Sequence, residues 1–509
     1  MSSPHPPGSH SSAAWWIRTD MRVLDNPALA AAFGAGPVVA VFVAAPQQWL
    51  AHGDAVVKMD FWLRNLHTLR HDLEALGVPL AVLRIGTWTD APQALGDFCE
   101  RFGVASLHAN TEWAVNERRR DETVAAHLRR QGVDCHWYAG ATLLMPGTVL
   151  NGAGQCYRVF TPFARTCRER LATAPLRPPS PLPAQARALR PRQRAGATAD
   201  SLPTLEEVLR TSGLPRAEWP DAEALEKVRA AWPAGETAAH GRLTAFLDGA
   251  ASAYDEGRDR PAVDGTSRLS PYLAAGVISP AACLRGALAA NQGELDSGQA
   301  GLRTWITELL WREFCQHLLA AHPGLSMHQP MRAETASVPW RAAPDDLRAW
   351  CEGRTGFPLV DAAMRQLRAM GWMHNRLRMV TAMLLCKNLL IDWREGERWF
   401  MRQLIDGDIA SNNGGWQWCA STGADAVPYF RVFNPLSQSR KVDPDGAFLR
   451  QWLPELAPLD NRSIHEPSAA QRAALGYPAA IVALGPSRLR AIEAFASTAR
   501  RAPGPGPGR

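Results

Sequence analysis

The stretch Trp15–Ala44, WWIRTDMRVLDNPALAAAFGAGPVVAVFVA, decides how the first part of the chain folds. Two apolar runs, Trp15–Ile17 and Val38–Ala44, enclose a helical stretch at Pro27–Phe33. An unbroken apolar run reads as a strand covered on both faces, which is the situation of a parallel sheet. The same alternation continues outward. Apolar runs recur at Leu80–Ile85, Val104–Ala109 and Cys135–Tyr138, separated by helical stretches at Val56–Leu76, Ala91–Phe102 and Val115–Gln131. Residues 14–140 are therefore expected to form an α/β domain with a doubly wound parallel sheet. No G-x-G-x-x-G follows the first run, so the usual dinucleotide fingerprint is missing.

Between about residues 172 and 203 prolines and arginines dominate, the composition of an extended surface connector. The whole of 141–235 is expected to join two domains. From Leu205 onward β-like alternation gives way to helical periodicity at Ala222–Trp232, Gly241–Tyr254, Ser279–Asn291, Leu302–His322, Asp345–Glu352, Leu359–Met370, Arg376–Leu390 and Glu395–Leu404. Residues 236–495 thus read as a large all-α domain. The ends, 1–13 and 496–509, are rich in Ser, Pro and Gly and read as disordered tails.

At 509 residues the chain exceeds one ordinary core, and 46% hydrophobic with 20% charged residues marks a soluble globular protein. There is no apolar run of about 18 residues, so no membrane span is expected. The nine cysteines are scattered without a C-x-x-C pair, which argues against a zinc or iron–sulfur site and for a reducing cytosol. No metal is expected. A net charge of +6 suits a polyanionic partner without demanding one. Nineteen tryptophans stand against six tyrosines, and composition does not say whether they fill cores, stack on ligands or carry electrons.

Candidate chemistry concentrates between Trp372 and Trp418, where arginines, aspartates, asparagines and tryptophans fall in segments with helical periodicity. Core helices exclude unpaired charge, because desolvating an ion costs several kcal/mol, roughly, unless a partner offsets it. Such a segment reads as the site of a large, flat, polar ligand. Asn375, Arg378 and Met379 share one helical face, and a buried Arg378 needs Asp406 or Asp408 as partner. Asn412 and Trp416, four apart, place an amide and an indole toward one ligand. His374 reads as a hydrogen-bonded structural histidine. Upstream, Glu308, Trp311 and Arg312 share a face. Gly265-Thr-Ser-Arg-Leu-Ser270 before Pro271 resembles a phosphate cradle, or else an ordinary helix cap. No hydrolase triad, P-loop or kinase signature is present.

These residues, taken in order, resemble one family. Trp15–Leu29, the E-L-L-W-R-E-F of Glu308–Phe314, Thr355–Gln366 and nearly every position of Gly371–Pro435 are similar to the photolyase/cryptochrome family. The resemblance spans about residues 14–490 and is nearest to bacterial class I cyclobutane pyrimidine dimer photolyases. It implies a carbon–carbon lyase of DNA repair, working as a monomer in the bacterial cytoplasm and associated with the nucleoid through DNA. Fully reduced FAD would give a light-driven electron to a cyclobutane dimer and take it back after the ring splits. Tyr254, Thr266, Ser267, Arg268, Leu269 and Ser270 match positions that hold the FAD phosphates and nearby groups. Trp305, Glu308, Arg312, Trp372, Asn375, Arg378, Asp406 and Asp408 match the rest of the flavin pocket, and Asn412 the position facing flavin N5.

The resemblance further implies that Glu308 and Asn375 hydrogen-bond the dimer while Trp311 and Trp418 pack on its bases. Met379 stands where (6-4) photolyases carry a histidine, which points to the cyclobutane lesion. Arg258, Arg376, Arg431 and Lys441 match contacts to DNA phosphates. Trp416, Trp393 and Trp340 match an electron-relay triad. His52, Asn116 and Glu117 match contacts to a methenyltetrahydrofolate antenna. A Cys-Lys pair expected beside them is Ser326-Met327 here, so a deazaflavin antenna, or none, is the alternative. A cryptochrome photoreceptor is the alternative function.

Overall fold

In the computed structural model, described for residues 12–176, 178–185, 189 and 201–501, the first part of the chain is a five-stranded parallel sheet. Its strands are β1 (Ser12–Ile17), β2 (Val38–Ala44), β3 (Leu80–Arg84), β4 (Val104–Asn110) and β5 (Asp134–Tyr138), in the order β3-β2-β1-β4-β5. The sequence reading is borne out here, and burial explains why it works. β1 and β2, the unbroken apolar runs, are buried at every position, whereas edge strands β3 and β5 show exposed residues. Helices α1 (Pro27–Ala35), α2 (Val56–Ala75), α3 (Ala91–Phe102) and α4 (Val115–Arg130) make the crossovers. Strand order reverses between β1 and β4, so a crevice opens beyond their carboxyl ends, where α/β sheets bind ligands.

Helices dominate the remainder. Those that build the site are α5 (Phe160–Thr173), α6 (Glu236–Asp248), α7 (Tyr254–Gly257), α8 (Ser270–Ala274), α9 (Ala300–Ala321), α10 (Asn375–Met383), α11 (Trp393–Met401), α12 (Ile409–Ala420) and α13 (Leu484–Arg501). The segment 141–235 also carries helices at Leu205–Ser212 and Ala222–Ala231, and Phe163 and Cys167 of α5 are fully buried. Residues 177, 186–188 and 190–200 of the proline- and arginine-rich stretch, and the ends 1–11 and 502–509, lie outside the described residues.

Two helical expectations differ in detail. The periodic stretch Arg376–Leu390 is α10 followed by a π-helical turn, Leu384–Asn388. Gly241–Tyr254 resolves into α6, a 3₁₀ turn at Ala250–Ala253 and the one-turn α7.

Buried polar contacts tie the halves together. Arg22, 2% exposed, donates to the carbonyls of Gly140 and Gly276 at 2.7 and 2.9 Å. Glu236 at the start of α6 accepts from the backbone of Val23 and Leu24. Glu313 accepts from Leu143 and Leu144 N–H at 2.9 and 2.8 Å. No helix among the described residues is long and apolar enough to cross a membrane.

Candidate active site

The polar cluster foreseen around Trp372–Trp418 exists, and its arginine is paired as charge burial requires. Arg378 donates to Asp406 at 2.7 Å and, through Nε, to the Met373 carbonyl at 2.8 Å. Asp408 has another task. It caps α12 by accepting from Ser411 N–H at 2.8 Å, and it takes the Gln316 amide at 3.2 Å. His374 caps α10, its Nδ1 accepting from Arg376 N–H at 3.2 Å, and burial pulls its pKa down to about 4. Asn375 and Met379 begin and line the same helix. Asn375 is exposed, and its side chain has no partner among the described residues.

Three further segments converge on α10. Trp372 donates to Ser270 Oγ at 3.2 Å and lies 5.7 Å from the Arg268 guanidinium, which joins the 265–270 loop to the cluster. Arg268 adopts φ 48° and pairs with Asp264 at 3.0 Å. Gly265 is required by close approach, since a Cβ there would meet Gly257 O at 3.0 Å. The loop therefore sits on the end of α7, which carries Tyr254 and Arg258. The helix it leads into, α8, has only five residues.

Glu308 on α9 pairs with Arg258 at 2.7 Å. Burial pushes its carboxyl up and Arg258 opposes that. Arg376 pairs with Asp259 in a two-pronged contact, Nε to Oδ1 at 2.9 Å. Two of the three arginines matched to DNA phosphates, Arg258 and Arg376, thus face carboxylates here, while Arg431 and Lys441 are exposed without side-chain partners among the described residues.

Three geometric expectations change. Arg312 turns from Glu308 to donate to the Ala141 carbonyl at 2.7 Å. Trp311 is not a bare platform, because Phe160 covers one face, with centroids 3.6 Å apart and planes at 7°. Asn412 and Trp416 do not share a ligand face. Asn412 donates to the Glu397 carbonyl at 3.1 Å, while the Trp416 ring turns inward against Phe400 and Trp350, 4.9 and 6.0 Å away. The gap it fills exists because residue 396 is glycine, where a Cβ would lie 2.1 Å from the indole. Trp393 is buried, with the Arg394 guanidinium 4.9 Å from its ring. Trp340, half-buried, meets Phe495 of α13 edge-on at 5.7 Å. Trp418 is also half-buried, and Trp305 packs on Phe246 at 5.0 Å.

A cavity of about 380 Å³ lies between the halves, beyond the carboxyl ends of β1, β2 and β4. His52, Asn116 and Glu117 line it with Ser326 and Met327. His52 Nε2 lies 3.2 Å from the Asn116 amide and its Nδ1 3.8 Å from Glu117. Burial, reinforced by Glu112, pushes Glu117 up to about 7.

Residues 13–184 match the family DNA photolyase, and residues 305–497 match the FAD binding domain of DNA photolyase. The chain belongs to the DNA photolyase family. It is 42% identical to deoxyribodipyrimidine photo-lyase of Escherichia coli K12, over 94% of this chain and 97% of the relative. Among solved structures it resembles a bacterial class III photolyase from Agrobacterium tumefaciens, with TM-score 0.81, 33% identity, and 98% and 100% of the two chains covered. A cryptochrome from Synechocystis gives TM-score 0.82 at 28% identity, covering 96% and 100%.

The FAD binding domain of the photolyase family holds FAD, and the residues present fit it. Asp406 Oδ1 and His374 Nε2 are buried beside the Arg378 clamp without a hydrogen-bond partner, and such atoms call for a polar ligand. Sequence reasoning missed Asp259, the partner of Arg376. It also missed Lys387, fully buried in the π-helical turn, which donates to Ser421 Oγ at 2.7 Å and whose pKa burial lowers to about 8. The signal for Lys387 was there: one cation inside the apolar run Met383–Leu390. Asp259 gave none, because it stands 117 positions from its partner.

Proposed function

We propose that the protein is a DNA-repair lyase that splits cyclobutane pyrimidine dimers under blue light, acting in the cytoplasm on damaged DNA as a monomer. The observation that carries this is the Arg378–Asp406 pair on the helix that also presents the exposed Asn375 and the half-buried Met379. A charged clamp for a flavin and a neutral, partly apolar patch for a lesion lie side by side along one face of α10. Identity is also higher with the Agrobacterium photolyase, 33%, than with the cryptochrome, 28%.

FAD, bound and fully reduced, supplies the light-driven electron. The 265–270 loop with Tyr254 holds its phosphates. Trp305, Arg312, Trp372, Arg378, Asp406, Asp408 and Asn412 enclose the rest and keep water out. Lesion bases leave the duplex to reach a buried flavin, at a cost of about a few kcal/mol that damage lowers. Asn375 and Glu308 then hydrogen-bond the dimer, and Trp418 with the free face of Trp311 packs on it. Met379 has no proton to give, which favours the cyclobutane over the (6-4) lesion. Arg258, Arg376, Arg431 and Lys441 take DNA phosphates. When a phosphate draws Arg258 away, the main opposition to burial is removed and the Glu308 carboxyl is pushed further up, so it holds its proton more firmly as the lesion arrives. Trp340, Trp393 and Trp416 would serve as an electron relay from the surface toward the flavin when it is bound in the oxidised state. The cavity at His52, Asn116 and Glu117 holds an antenna, methenyltetrahydrofolate.

The test is an oligonucleotide carrying one thymine dimer, mixed with the reduced protein and illuminated with blue light. Thymines should be restored; FAD bound and reduced with no restoration would sink the reading. Glu308→Ala should lower the yield while FAD stays bound.

A further inference from the structure

We infer that Arg402, at the mouth of the interdomain cavity, selects the antenna by binding the carboxylates of a folate's glutamate tail. This rests on reading the cavity as the antenna site. Six lysine and arginine side chains line it: Arg18, Lys58, Arg120, Arg312, Arg398 and Arg402. Five are committed. Arg18 pairs with Asp121 at 2.6 Å, Lys58 with Asp54 at 2.6 Å, and Arg120 with Glu112 at 2.7 Å. Arg312 donates to the Ala141 carbonyl, and Arg398 is held by Glu395 one turn earlier in α11. Arg402, just past the end of α11, is exposed and makes no side-chain hydrogen bond or ion pair among the described residues.

Its position suits a tail. The Arg402 stem passes beside Gly53, where an added Cβ would lie 3.7 Å from Arg402 Cγ, so the side chain starts next to the loop that carries His52. Deeper in the cavity the wall carries Asp54, Glu112, Glu117, Glu397 and Asp408. Asp54 and Glu112 already hold Lys58 and Arg120, so this interior offers a polyanionic tail no uncommitted lysine or arginine among the described residues, and the mouth is left to bind it. The two positions where a Cys-Lys pair is expected cannot supply the cation. Ser326 Oγ is occupied, accepting from Val115 N–H at 3.0 Å and donating to the Pro323 carbonyl at 2.8 Å, and Met327 is an uncharged thioether. Arg402 takes over from the absent lysine. A guanidinium also binds a carboxylate by two parallel donors, where an ammonium acts as a point charge.

The experiment is a binding titration of antenna-free protein with methenyltetrahydrofolate carrying one or three glutamates, in wild type, Arg402→Ala, Arg402→Glu and Arg398→Ala. Wild type should prefer the triglutamate by about fivefold at low salt, with the preference shrinking as salt rises. Arg402→Ala should bind both forms alike, Arg402→Glu should prefer the monoglutamate, and Arg398→Ala should keep the wild-type preference. An unchanged preference in Arg402→Ala, or its loss in Arg398→Ala, overturns the assignment while the antenna reading stands. Wild type that binds neither folate overturns both. Thermal unfolding of each variant at the wild-type temperature shows that the fold is intact.

Discussion

Glu308 is pushed up by burial and pulled down chiefly by Arg258, 2.7 Å away, with smaller effects from Asp259 and Arg376. Arg258→Ala should therefore move its titration to higher pH. The carboxylic C=O infrared band that disappears in Glu308→Gln should persist to higher pH in the arginine variant, and an unmoved band would refute the coupling. His374 is the opposite case. Burial lowers it from 6.5 to about 4, so the unfolded chain binds its proton first. The neutral ring's contribution is complete above the unfolded pKa and is lost as pH falls from about 6.5 toward 4. His374→Asn keeps a capping oxygen but removes the titration. Between pH 7 and 4.5 it should lose about 2 to 3 kcal/mol less stability than wild type, measured by urea unfolding.

The neighbourhood of α11 and α12 shows how helix packing places an indole. Gly396 leaves the space into which Trp416 fits, whereas Gly415 on α12 has nothing within 4 Å of an added Cβ. Gly396→Ala should cost about 1 to 3 kcal/mol through overpacking, lower the melting temperature and, on the relay role proposed for Trp416, slow light-driven flavin reduction by displacing its ring. Gly415→Ala, in the helix that carries Trp416, should stabilise by about 0.4 to 1 kcal/mol. Equal effects would mean that helix propensity, not the Trp416 gap, governs this region. Helical periodicity located α9, α10 and α11 within a few residues, and did not mark α12 as a helix. It did not show that Trp416 points inward, because that depends on a glycine in a different helix.

At the scale of the molecule, the two halves share buried polar ties and the cavity between them. Glu313, 1% exposed, holds two backbone N–H groups of the 141–150 segment. Glu313→Ala strands both, at about 1 to 3 kcal/mol each. Denaturant unfolding should shift to lower midpoint by tryptophan fluorescence and flavin release together; a shift in one probe alone would show that the halves unfold independently. DNA binding is a property of the whole surface. Lys441→Ala should weaken binding to all sequences and reduce the salt slope by about 1. A variant with wild-type slope would place Lys441 off the DNA path.

The amino-acid sequence by itself determined the layers. Unbroken apolar runs require a sheet covered on both sides, and helical periodicity requires amphipathic helices packed on one another. It also located the charged cluster, since Arg378 in an apolar segment needs a carboxylate. Only the tertiary structure decided which one, giving Asp406 to Arg378 and leaving Asp408 to cap α12. It alone paired Arg258 with Glu308 and Arg376 with Asp259, and left Arg402 without a side-chain partner among the described residues at the cavity mouth. Periodicity is local and survives in a string of letters. Partner choice among charges is set by distance in space, between residues 28 to 117 positions apart, and it appears only once the chain has folded.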